Sequence, residues 1–147
     1  LPTTGKTRKT ISLALAAVLL ALAGPVSAGF LSPGLSIQPA RTRIGIAKVI
    51  LQIDRLTVSN HSLDGDYFIR IPMAPFMDDR GSIHITLDQP LESAVTSGKT
   101  LTGSASSRED GRTHPVACTF LKNRKISIVV TTPSRVLSFQ APYELIP

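Results

Sequence analysis

The chain has 147 residues, one Cys, no Trp and a formal charge of +6, so no internal disulfide can form and stability must come from packing. Of its 16 Lys and Arg, three (Lys6, Arg8, Lys9) sit in the opening stretch, leaving 13 against 10 acidic residues. That modest, dispersed excess lacks the sustained basic stripe with interleaved aromatics used on nucleic acid, which is excluded as an expected partner.

Residues 11–23 are apolar except for Ser12, follow Lys6-Thr7-Arg8-Lys9, and precede Gly24-Pro25 and the small-residue run Val26-Ser27-Ala28. A basic head, a short apolar core and small residues before a cut predict a secretory signal peptide over residues 1–28. The core is shorter than the roughly 20 residues a membrane-spanning helix needs. With no other long apolar stretch, no transmembrane span is expected after the leader is removed. The expected location is periplasmic or secreted, in the style of a bacterial envelope protein. The residue directly after the cut is Gly29, not a Cys that could carry a lipid. Asn60-His61-Ser62 is a glycan acceptor triplet, with meaning only in a eukaryotic secretory route. Leu1-Pro2-Thr3-Thr4-Gly5 resembles the recognition pentapeptide of sortase substrates. In that family it lies near the C-terminus, ahead of an apolar stretch and a basic tail. Here it lies at the other end and the basic residues come first, so the resemblance assigns no role.

Residues 29–43, with Gly29, Pro33, Gly34 and Pro39, read as an extended N-terminal segment, and residues 44–147 as a single β domain. Residues 44–53 are rich in Ile and Val and predict a strand. Residues 56–59 predict a second strand, Leu63-Asp64-Gly65-Asp66 a turn, and residues 67–71 a third strand, stopped by Pro72. Residues 72–81 form the least regular segment. Residues 82–88 alternate strictly, placing Ile83, Ile85 and Leu87 inward and Ser82, His84, Thr86 and Asp88 outward. Further strands are expected near 91–96, 100–106, 113–121, 124–132 and 135–140, with a hairpin turn at Asp110-Gly111. The expected fold is all-β: a small antiparallel β-sandwich or closed barrel of about eight short strands. Strands of five to seven residues fall short of the 9–11 of a membrane barrel.

The candidate metal and catalytic groups are His61, His84, His114 and Cys118. His114 and Cys118 share a strand face but stand roughly 13 Å apart at that spacing, so no metal site is expected. Cys118 reads as a buried thiol. Asn60, Asp64 and Asp66 begin a calcium-like set that nothing nearby completes. No phosphate loop, dinucleotide fingerprint or nucleophile elbow occurs, and no cofactor is expected. Of the basic clusters, Arg41/Arg43 and Lys122/Arg124/Lys125, the second reads as a solvated hairpin tip; an anionic membrane face or glycan is the other reading.

The leading expectation is an exported, noncatalytic binding or envelope-associated domain. Its contact patch is placed on Met73, Phe76, Met77, Asp78 and Asp79, where an adaptable apolar cluster adjoins two carboxylates. The expected partner is an envelope protein or a glycan. Two alternatives stand beside it. A small periplasmic hydrolase requires His84 or His114 to meet Asp78, Asp79 or Asp88 in a cleft. A structural subunit would add residues 29–53 to a neighbour's sheet.

Overall fold

Period-two alternation of apolar and polar side chains shapes most of the chain in the computed structural model, which describes residues 33–147; the leader expected over 1–28 lies outside the described residues. Ten strands result: β1 (Gly34–Ile37), β2 (Ala40–Ile44), β3 (Ala47–Ile53), β4 (Leu56–Ser59), β5 (Ser62–Arg70), β6 (Asp79–Thr86), β7 (Thr100–Ser107), β8 (Thr113–Leu121), β9 (Lys125–Thr131) and β10 (Val136–Ile146). One helix, α1 (Leu91–Ser97), interrupts them.

The strands hydrogen-bond in the order β2-β3-β5-β4-β1-β10-β9-β8-β7-β6, and β6 returns to β5. The ring from β5 through β4, β1, β10, β9, β8 and β7 to β6 is a closed eight-stranded antiparallel barrel, so the sandwich alternative gives way. β2 and β3 prolong β1 and β4. Leu35 faces Leu56 and Ala40 faces Leu51, five residues further along each strand, so both ladders share one register. Residues 34–59 are thus one bent hairpin, and the chain runs up and down the wall without crossing. Between the Ile53–Tyr67 and Thr57–Asp64 pairs the hairpin carries one residue more than β5, a bulge that bends the wall.

This path sorts the connections into two ends. Turn 45–46, loops 71–78 and 108–112, and turn 132–135 lie at one end, the mouth. Turn 60–61, the segment 87–99 carrying α1, and turn 122–124 lie at the base. α1 packs on β8, with Ala94 buried and Leu91 and Val95 against the core, and covers the base.

Leu35, Leu56, Leu63, Ile85, Ile126, Ile128 and Phe139 fill the interior and are at most 1% exposed. Ile83, Ile85 and Leu87 point inward, while Ser82, His84, Thr86 and Asp88 point out. Several strands exceed the five to seven residues expected: β5 and β8 have 9 and β10 has 11. Strand length therefore does not separate this barrel from a membrane one. The alternation does: the apolar set faces in and the outer wall carries Lys48, Gln52, Arg70, His84, Thr102 and Gln140, the reverse of a lipid-facing wall.

Four local expectations are corrected. Residues 91–97 form a helix, because Leu91, Ala94 and Val95 fall at helical spacing between Pro90 and a left-handed Gly98 (φ 61). The segment 44–53 is a hairpin, turned at Gly45-Ile46 with Gly45 at φ 58. The turn read at 63–66 lies at Asn60-His61, and Gly65 stands inside β5 where the bulged Arg55-Leu56 backbone approaches. Residues 34–37 and 40–44 are strands, not an irregular lead-in.

Candidate binding site

The mouth half of the barrel interior is not filled. Inward residues of β3, β5, β6, β9 and β10, among them Val49, Leu51, Ile69, Ile83, Val130 and Leu137, surround a cavity of about 230 Å³. β7 contributes only Ala105 to this lining, opposite Ile83 of β6, so little side-chain volume enters from that part of the wall. Tyr67, directly opposite Gly81 on the neighbouring strand, lays its ring over that glycine.

Polar side chains enter this largely apolar lining at Tyr67, Asp79, His114, Thr132, Ser134 and Arg135. The Asp79 carboxylate accepts the Tyr67 hydroxyl at 2.7 Å on Oδ2 and the Ser107 hydroxyl on Oδ1. Ser107, 6% exposed, also accepts the Glu109 amide at 3.1 Å, which ties loop 108–112 to the wall. Burial first, then the hydrogen bond and charge of Asp79, hold the Tyr67 phenol far above its ordinary range. Both Asp79 oxygens are occupied, so the group braces the wall rather than presenting a free base. His114 and Arg135 line the cavity from β8 and turn 132–135.

The five residues of the sequence-predicted patch divide. Asp79 and Met77 line the cavity. Asp78 accepts the Ile71 amide at 2.7 Å and closes the neck of loop 71–78. That neck and a 3-10 turn at Pro75–Met77 hold Met73, Phe76 and Met77 outward, 67%, 88% and 57% exposed. Sequence reasoning missed Tyr67, His114 and Arg135 as cavity residues, and Ile46 and Val136 as exposed neighbours on the rim. The inward parity of Tyr67 and His114 was legible; the empty space between them was not.

The catalytic alternative meets a different arrangement. His84 pairs with Asp64, its ladder partner on the outer wall, at 2.5 Å, and Asp64 accepts Ser62. Burial would raise the Asp64 carboxyl, but the hydrogen bonds from Ser62 and His84 outweigh it and hold the group below its ordinary value. Here the carboxylate stands between Ser and His, whereas activating a serine requires the imidazole in the middle. Asp88 binds Lys99, and Asp66 binds Arg108 at 2.6 Å. Among the described residues, no His hydrogen-bonds Asp78, Asp79 or Asp88, and no three His, Cys, Asp or Glu converge as metal ligands. Cys118 is buried, and burial pushes its thiol up to about 12.

A larger open cleft of about 670 Å³ lies at the base, beside Pro33 and Pro147. It lacks the convergent inward walls of the mouth cavity, which has the apolar lining and few placed polar groups of a small-molecule site. No family model matches the chain, and no curated protein or solved structure matches it either.

Proposed function

We propose that the protein is an exported, noncatalytic binding protein, periplasmic or secreted, whose mouth cavity takes a small apolar or amphiphilic ligand. The observation that carries this reading is the apolar chamber inside the mouth, left open above a packed base. Its volume of about 230 Å³ falls a little below the roughly 300–1,000 Å³ of drug-sized pockets. A single ring or a medium-length acyl chain suits it better than a sterol. The braced Asp79 leaves Arg135 as the charged group free to meet a head group, which favours an anionic amphiphile. The export half of the proposal rests on the leader read in residues 1–28.

The test is displacement of a fluorescent medium-chain carboxylate from wild type and from Ala105→Phe, which fills the chamber. Overpacking costs typically about 1–3 kcal/mol, so Val130→Phe serves as a second filling variant if the first fails to fold. Binding is expected to fall at least about tenfold in a folded filling variant, while Arg135→Gln weakens the carboxylate but not a neutral analogue. Equal binding by wild type and a folded filling variant would overturn the reading.

A further inference from the structure

Five of the six large hydrophobics that stand exposed among the described residues lie at the mouth: Ile46, Met73, Phe76, Met77 and Val136, with only Leu145 elsewhere. They come from turn 45–46, loop 71–78 and the start of β10, three separate pieces of chain that end on one rim. Apolar tips at this density, left exposed among the described residues, are costly in water and mark a contact surface.

Charge singles out the same end. The outer wall of β2, β3 and β5 next to the rim carries Arg41, Arg43, Lys48 and Arg70. Arg43 faces Lys48 directly across the β2–β3 ladder, and Arg41, Ile50 and Arg70 form the next row. Like charges directly opposite on a sheet are destabilising. Among the described residues none of these four has an acidic partner, whereas the acids of loop 108–112 are engaged by Arg80 and Arg112. A repulsive pair left uncompensated inside the chain is relieved by an anionic surface outside it.

We propose that the mouth rim docks on an anionic lipid bilayer, with Ile46, Phe76 and the two Met entering the boundary region and the basic face of β2–β3–β5 lying on the headgroups. Apolar tips beside unpaired cations are the combination by which a peripheral protein binds such an interface. A glycan would ask for polar donors between stacked rings, and the rim offers one exposed ring, Phe76. The proposal does not depend on a ligand entering the chamber.

The chain contains no Trp, so Phe76→Trp gives a single reporter at the rim of the full-length protein, and Leu145→Trp gives one at the base. With vesicles of phosphatidylglycerol and phosphatidylcholine, the rim Trp is expected to shift blue and to be quenched by brominated lipid. The base Trp is expected to do neither. Each basic residue near such a surface is worth roughly a fivefold change in partition, so Arg43→Gln with Lys48→Gln should weaken the response about 25-fold. Ala105→Phe should leave it intact even if ligand binding is lost. Absence of a rim shift on anionic vesicles overturns the proposal. So does a shift equal on phosphatidylcholine alone and insensitive to the double Gln variant, or capture of the rim by an anionic polysaccharide without response to lipid.

Discussion

Asp79 is held from two sides by hydroxyls, and the arrangement has a definite consequence for alkaline stability. Tyr67 must keep its proton to donate to that carboxylate, and burial together with the negative charge raises its folded pKa well above the ordinary value of 10.0. An acid whose folded pKa exceeds its unfolded one contributes stability that is complete below the unfolded value and is lost as pH rises past it. The unfolded chain releases the phenolic proton near pH 10 while the folded barrel still retains it. Thermal midpoints of wild type should therefore fall more steeply than those of Tyr67→Phe between about pH 9 and 11. At pH 7 the Phe variant should be less stable by about 1.5–3 kcal/mol, the worth of a hydrogen bond to a charged acceptor. Parallel slopes for the two proteins would show that Tyr67 is not held neutral.

Barrel curvature is made at the level of the strand, and Gly103 shows how. A Cβ built there would lie 2.0 Å from the His84 carbonyl oxygen, a backbone atom that cannot swing away. β6 and β7 cross so closely only because one partner has no side chain. Gly103→Ala should cost at least about 2–3 kcal/mol, read as a drop of roughly 10 °C or more in the thermal midpoint. Gly45→Ala meets open space but keeps φ at 58, and should cost only about 1–2 kcal/mol. Equal midpoints for the two variants would remove close approach as the reason for Gly103. The same contrast explains which elements the sequence disclosed. Residues 82–88 were legible because both faces of β6 obey a strict alternation in contact with core and water. The strands after residue 100 were legible in the same way. α1 was missed although Leu91, Ala94 and Val95 carry its spacing, because seven residues are too few to outweigh a neighbouring β pattern. Gly65 signalled a turn by composition, yet it serves a bulge whose other half stands on a different strand. The chamber was illegible for a related reason: its lining comes from residues far apart in the chain, such as Val49, Ala105 and Leu137, and register decides which of them meet.

Closure pairs the strands of the ring along the base half of the wall, but β2 lies outside that ring. It has a ladder with β3 on one side only, and the facing part of β10, from Val136 to Pro142, pairs with β9 alone. A single bond from the Gln38 amide to the Pro142 carbonyl at 3.0 Å marks where the ladder between β1 and β10 ends. The mouth half of the wall therefore contains a seam held by side-chain packing, beside Ile44 and Leu137, which line the chamber. Backbone amides without a second ladder open at lower free energy than those flanked on both sides. In native-state hydrogen exchange, amides of β2 should exchange by local opening, well ahead of those of Ile126, Ile128 and Val130 in β9, which open only with global unfolding. If the chamber admits a ligand through this seam, a bound amphiphile that contacts Ile44 and Leu137 should slow β2 selectively and leave β9 at its global limit. Uniform protection of β2 and β9 in the free protein would mean that packing alone closes the wall, and entry would then be confined to the open mouth.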